Sequence, residues 1–289
     1  MAKTTFNKSP LSCDEHISLL KERNLIIKNE SYAKHKLSII NYYRLSAYFR
    51  PFYVRGEETF KDNTTFEDII KLYYFDKKLR KIIFDKLENI EVFFRTKIID
   101  VVSKNGPFGY LEMLNKDKKD EILEKINREL NRSKEVFVSH YKKKYENEHF
   151  PIWMIVETIS FSLLSMLFKN LDEKSKIKIA NDLDLPVDVL ESWIHNLVYI
   201  RNICAHHSRI WNRILAIRPK IPKRKKEFHE LNNKKIFFTI CVIQYFLNYI
   251  DEEENSLKNE LQNLFSEYPQ IKKRNMGFPD NWEELKIWE

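Results

Sequence analysis

Residues 64–103 read TTFEDIIKLYYFDKKLRKIIFDKLENIEVFFRTKIIDVVS, and their periodicity decides the fold class. Ile69, Leu72, Tyr73, Leu79, Ile82, Ile83, Leu87, Ile90, Phe94 and Ile98 recur at threes and fours, as the apolar face of an α-helix does. Thr64-x-x-Glu67 has the pattern of a capping box at the start. Asn105-Gly106-Pro107 supplies the stop. A helix of this length must pack against several others or across a partner chain.

Outward from this helix the same period continues. Leu11 to Asn24 reads as a helix with Ser12 as its cap, and Ser31 to Tyr42 as a second. The aromatic and basic run Asn41 to Pro51 follows, broken by its proline. Lys116–Asn131 and Lys134–Tyr145 are lysine-rich and weakly amphipathic, more in keeping with solvated surface helices than with an RNA grip. Pro151 opens an apolar helix expected to run to Phe168, and Asp172–Asp182 is a short polar one. Asp184-Leu185-Pro186 introduces another helix, since proline tolerates a first turn. Lys235–Ile250 reads as buried, Glu252–Ser266 as charged, and the tail 268–289 as lying against the body. With four glycines in 289 residues, hairpins and glycine-rich phosphate loops find no material. The expected class is all-α, in a single domain over residues 1–289.

The net charge of +8 draws phosphate polyanions, although many lysine-rich proteins bind none. Cys13, Cys204 and Cys241 are odd in number and far apart, so no disulfide framework is expected. Met1-Ala2-Lys3-Thr4-Thr5 carries no apolar signal core, and the apolar runs 152–168 and 236–250 are short for a bilayer. These features fit a cytoplasmic protein with no membrane partner.

The chemistry concentrates in residues 187–209, VDVLESWIHNLVYIRNICAHHSR. Leu190, Ile194, Leu197 and Arg201 follow one another at spacings of 4, 3 and 4, which puts an arginine on a core-facing stripe. Such an arginine needs an anion, an acid or an interface. On an ideal helix His206 lies about 140° around from Arg201. Either the helix ends near Ala205, or a site combines residues from two copies of the motif. Histidine suits proton transfer near neutrality, and arginine stabilises phosphate charge with a planar donor fork. With Asn202 orienting either group or donating to phosphate, a 2′-hydroxyl attack on phosphorus needs no metal or other cofactor. Arg201-x4-His206 alone is a weak signal; a buried salt bridge and a helix-end histidine would produce the same spacing.

Arg201-Asn202-Ile203-Cys204-Ala205-His206 resembles the Arg-Asn/Asp/His-x3-5-His signature of the HEPN superfamily of helical RNases. Over most of its length the chain resembles, more narrowly, the Abi-like proteins of bacterial abortive infection, of the AbiD and AbiF type. The resemblance rests on residues 41–48 (NYYRLSAY), Glu91-x3-Arg95, residues 160–165 (SFSLLS) and residues 201–213 (RNICAHHSRIWNR). It departs at Ser162, where glycine is expected close to a helix contact. The resemblance implies a HEPN-like helical bundle, which divides the chain into a core over 64–104 and 151–250 and an N-terminal helical region over 11–60; the stretch 105–150 between the core parts reads as an insertion or lid. It further implies a homodimer whose two motifs share a cleft, RNA as substrate, a role in phage defence through RNA damage, and a small non-coding RNA as a partner of some relatives.

Arg201, Asn202 and His206 are therefore the candidate catalytic residues. His207 is a second proton carrier or simply a neighbour, and His195 reads as structural. Glu88, Glu91 and Arg95 share a face, as a charge ladder or as support for the site. Arg44, Arg209, Arg213, Lys223, Arg224, Lys225 and Lys226 are candidate RNA contacts. Tyr42, Tyr43 and Tyr48 beside Arg44 suit base stacking, though core packing around a helix end is the commoner use. Cys204-x-His206 lacks a second ligand pair at zinc spacing, and no serine nucleophile elbow is present. Two functions stand: a metal-independent endoribonuclease, or a non-cleaving helical RNA-binding or dimerisation module.

Overall fold

The computed structural model describes residues 5, 9–250 and 256–288. Among them are thirteen α-helices: α1 (Cys13–Glu22), α2 (Glu30–Ile40), α3 (Tyr42–Ser46), α4 (Phe66–Val102), α5 (Tyr110–Met113), α6 (Lys116–Arg132), α7 (Val136–Lys144), α8 (Ile152–Thr158), α9 (Phe161–Lys169), α10 (Glu173–Asp182), α11 (Val187–Ala205), α12 (Ile236–Leu247) and α13 (Leu257–Glu267). Extended pairing among the described residues is confined to single bridges such as Ile26 to Thr65. The fold is all-α. Residues 1–4 of the stretch read as carrying no signal core, and the expected start of the charged helix at Glu252, lie outside the described residues.

The chain divides into two compact units, Met1–Leu79 with Leu264–Ile271, and Arg80–Asn263 with Lys272–Glu289. The first is built on α1 to α3 and the start of α4. Ser12 and Glu15 form the capping box of α1. In the aromatic run, Tyr42 stacks on His16 at 4.1 Å, and Tyr48 is buried with its hydroxyl donating to Asp76 at 2.6 Å. Core packing thus accounts for both, while Tyr43 and Arg44 are exposed.

The capping box of α4 sits one residue later than the sequence pattern suggests. Thr65 Oγ1 accepts from the Asp68 N–H at 3.2 Å, and Asp68 Oδ2 accepts from the Thr65 N–H at 3.0 Å. The cause is local. The Thr64 carbonyl accepts from the Ile26 N–H, and the Phe66 N–H donates to the Ile26 carbonyl, both at 2.9 Å, so this stretch is held extended until residue 65.

The second unit is arranged around α12, all twelve of whose residues are buried. Trp193 of α11 packs against Phe228, Tyr245 and Phe246 with ring centroids 5.1 to 6.2 Å apart. The tail lies on the same helix, with Phe278 4.2 Å from Phe237 and Trp282 fully buried. Asn196 of α11 is also fully buried, donating to the Ile217 carbonyl and accepting from Thr239 of α12, both at 2.8 Å. Asn196→Ala strands both partners, so we expect a loss of about 2–3 kcal/mol, seen as a lower urea midpoint at unchanged m-value.

The apolar helix expected over 151–168 is two helices. Ile159 is extended, and Ser160 caps α9 by accepting from the Leu163 N–H. The groups released by the break are taken by charged side chains. Arg95 donates to the Ile159 carbonyl at 2.9 Å, and Glu129 of α6 accepts from the Ser160 N–H at 2.6 Å and its hydroxyl at 3.0 Å. Apolar periodicity runs straight across this break, which hides it in the sequence. Ser162, the departure from the family pattern, is exposed, so no close helix contact depends on it.

Candidate functional site

The stripe on α11 surfaces where the sequence places its arginine. Leu190, Ile194 and Leu197 are fully buried, whereas the Arg201 side chain is 36% exposed. The helix ends at Ala205, with His206 as its C-cap at φ −85° and ψ 9°. His207 then takes φ +55°, its N–H donating to Cys204 and that of Ser208 to Ile203, both at 3.0 Å. This is a Schellman closure with histidine in the position glycine usually takes. The left-handed conformation costs a side chain about 1 kcal/mol. The reversal it makes buries Ile210 and Trp211 and leaves His206 and His207 exposed.

Arg201 opens onto a cleft of about 430 Å³, lined by Phe84, Glu88, Glu91, Val92 and Arg95 of α4 and Glu157 of α8. All belong to the second unit. Glu91 is the hinge of the charge arrangement. Its Oε1 accepts from Arg95 at 2.5 Å, and its Oε2 lies 3.7 Å from Arg201 Nε. Glu91 and Arg95 are only 14% and 11% exposed, so theirs is a largely buried pair, and Arg95 is further anchored on Ile159. Arg201 is held more loosely. Its contact with Glu91 is longer than a hydrogen bond, and its guanidinium carbon lies 6.0 Å from the Phe84 ring centroid, at the limit of a cation–π contact. The fork thus has a carboxylate behind it and donors not committed within the described residues.

The remaining candidates are not gathered in this cleft. Asn202 is half-buried and His206 exposed, and neither lines it. His206 is the residue that closes α11, and at ideal helical rise and turn it falls about 7.5 Å along the axis and about 140° around from Arg201, so one straight helix does not converge the pair. Arg213 donates to the Arg209 carbonyl at 3.0 Å. Lys223, Arg224 and Lys226 are exposed, and Lys225 pairs with Asp184. His195, expected as structural, is exposed on α11. No group of three His, Cys, Asp or Glu side chains among the described residues is placed to hold a metal ion.

Residues 35–212 match the family described as Abi-like protein. The chain belongs to that family. The matched span begins within α2 and closes just beyond the Schellman turn, so every lining residue of the cleft in this Abi-like protein falls inside it. Membership suggests a role in abortive infection. No curated protein and no solved structure matches the chain. No helix among the described residues is long and apolar enough to cross a membrane.

Three cleft residues were not anticipated. Phe84 and Val92 fall outside the apolar stripe of α4 and are 37% and 58% exposed. Their spacing from Glu88, four residues on either side, was the available signal that they share the charged face. Glu157 is a polar break in the apolar run 152–168, and that interruption was the signal available for it.

Proposed function

We propose that this Abi-like chain is an endoribonuclease of the HEPN type, acting in abortive infection on RNA without a metal. The observation that carries the reading is the Glu91–Arg201 arrangement: a half-exposed guanidinium at the end of α11, backed by a largely buried carboxylate and open to a cleft. In the proposed reaction a ribose 2′-hydroxyl attacks the adjacent phosphorus and the bond to the 5′-oxygen breaks. His206 moves a proton between these oxygens. Arg201 stabilises the charge developing on the phosphoryl oxygens, with Asn202 orienting either group. The products carry a 2′,3′-cyclic phosphate and a 5′-hydroxyl.

The angular separation of Arg201 and His206 supports a homodimer in which each cleft takes residues from both copies. Exposed Phe84 and Val92 on its rim suit coverage by a second chain. A small non-coding RNA partner belongs to the same proposal, with a discrete RNA co-purifying with the protein as its expected sign.

The test is incubation of purified protein with RNA and with DNA of the same sequence, in chelator. Cleavage of RNA alone is the expected result. Binding without cleavage would favour the non-cleaving module instead. Arg201→Ala should lower kcat/KM by about 100-fold. It should cost less than about 1 kcal/mol of stability, because Arg201 is more than one-third exposed and Glu91 keeps Arg95. Thermal melting beside the kinetics separates the two effects.

A further inference from the structure

Between Arg209 and Lys226 lie eighteen residues with eight cations (Arg209, Arg213, Arg218, Lys220, Lys223, Arg224, Lys225 and Lys226) and no acid. Ile210, Trp211 and Leu215 sink into the core. Beyond them the segment turns back along α11. The Ala216 N–H donates to Tyr199 Oη at 3.4 Å, Asn196 holds the Ile217 carbonyl, Trp193 Nε1 donates to the Lys220 carbonyl at 2.9 Å, and Ser192 Oγ accepts from the Lys220 N–H at 2.9 Å. Lys220 then pairs with Asp188 at 2.9 Å and Lys225 with Asp184. From Tyr199 back to Asp188 this path covers about 17 Å at helical rise. Asn233 and His229 fix the other side, at the Pro219 and Pro222 carbonyls, both at 3.0 Å.

Side chains hold four carbonyls of this strap, which fixes its main chain along α11. Arg218, Lys223, Arg224 and Lys226 are exposed and make no ion pair among the described residues. Where the strap meets the start of α11 there is a groove of about 770 Å³, with Pro186, Val189, Ile221 and Pro222 as apolar lining; its cations are Lys220, Lys223, Arg224 and Lys225, and its two carboxylates, Asp188 and Asp184, are paired with Lys220 and Lys225. The strap begins three residues past His206 and ends at the far end of the same helix.

We propose that residues 209–226 form a phosphate-binding track that carries an RNA strand from the α11 C-terminus along that helix into the groove at its start. The identity of the polyanion as RNA rests on the function proposed above; the track itself does not depend on cleavage. Each phosphate neutralised on a single strand releases about 0.7 of a counterion, so the track predicts a steep salt dependence set by these cations.

The test is fluorescence anisotropy of labelled polyuridine with the His206→Ala protein, in which strand scission does not interfere, across a salt series. Lys223→Gln/Arg224→Gln/Lys226→Gln on that background should weaken binding by about 10- to 100-fold at 0.1 M salt and lower the log–log salt slope by about 2. Lys134→Gln/Lys143→Gln/Lys144→Gln removes the same total charge elsewhere and should leave the slope unchanged; circular dichroism and melting confirm that both variants fold. Equal losses in the two triples, or an unchanged slope in the first, would overturn the track. So would polyglutamate displacing the RNA as effectively as unlabelled RNA does, which would make the strap a site for acidic protein. RNA binding with the expected slope change in a wild-type protein that never cleaves would uphold the track and sink the nuclease.

Discussion

Replacing His206 with alanine is expected to lower RNA cleavage by about 1,000-fold or more while stability stays within about 0.5 kcal/mol of wild type. The two halves of this expectation have different sources. His206 is the C-cap of α11, is exposed, and makes no side-chain hydrogen bond or ion pair among the described residues. Its backbone N–H donates to the Asn202 carbonyl, and alanine keeps that bond. A histidine with neither role would be silent in both assays, a structural one would shift the melt, and only a proton carrier gives a large kinetic loss with no melting shift. Neighbouring His207 provides a control. It occupies the left-handed position of the Schellman turn. If His207→Ala abolished cleavage while His206→Ala did not, the proton carrier would be the other histidine.

The second large effect is expected at Glu91, and there it falls on stability first. Glu91→Ala removes the carboxylate from Arg95, whose side chain is 11% exposed and would keep only the Ile159 carbonyl. An uncompensated buried charge of this kind costs about 3 kcal/mol, against less than about 1 for losing Arg201 from the looser 3.7 Å contact. For a chain of this size that corresponds to a fall in Tm of about 6–12 °C. Because Arg95 also ties down the break between α8 and α9, hydrogen exchange at 159–163 should rise in the same variant. Glu91→Gln keeps an acceptor for Arg95 and should recover part of the stability. It also removes the charge behind Arg201, so cleavage should stay depressed at temperatures where the variant is fully folded. An unchanged Tm in Glu91→Ala would show that the pair carries no weight in the fold.

Much of this is legible in the sequence. The long period of α4, the capping of α1 by Ser12, the buried run of α12 and the emergence of an arginine on the α11 stripe all follow from local pattern, because each depends on residues three or four apart. The features that escaped depend on distant partners. The break at Ile159–Ser160 is held by Arg95 and Glu129, from two other helices. The shift of the α4 cap to Thr65 follows from pairing with Ile26. Of the candidate site, Arg201 and Glu91 could be named from spacing and from the family resemblance, and the structure brings them together. Sequence alone could not choose between a charge ladder and a support for Arg201. Glu91 does both, because its two oxygens face different arginines. The cations of 218–226 were visible as a count, but their alignment along α11 arises from hydrogen bonds spanning some twenty residues or more of sequence.

The chemistry of the new RNA ends tests the central claim most directly. Purified protein is incubated with a single RNA in chelator, and the fragments are analysed by mass spectrometry. The account predicts 2′,3′-cyclic phosphate and 5′-hydroxyl ends, absent when His206 is alanine. Fragments ending in 3′-hydroxyl and 5′-phosphate, or the same fragments from the His206→Ala protein, would contradict it.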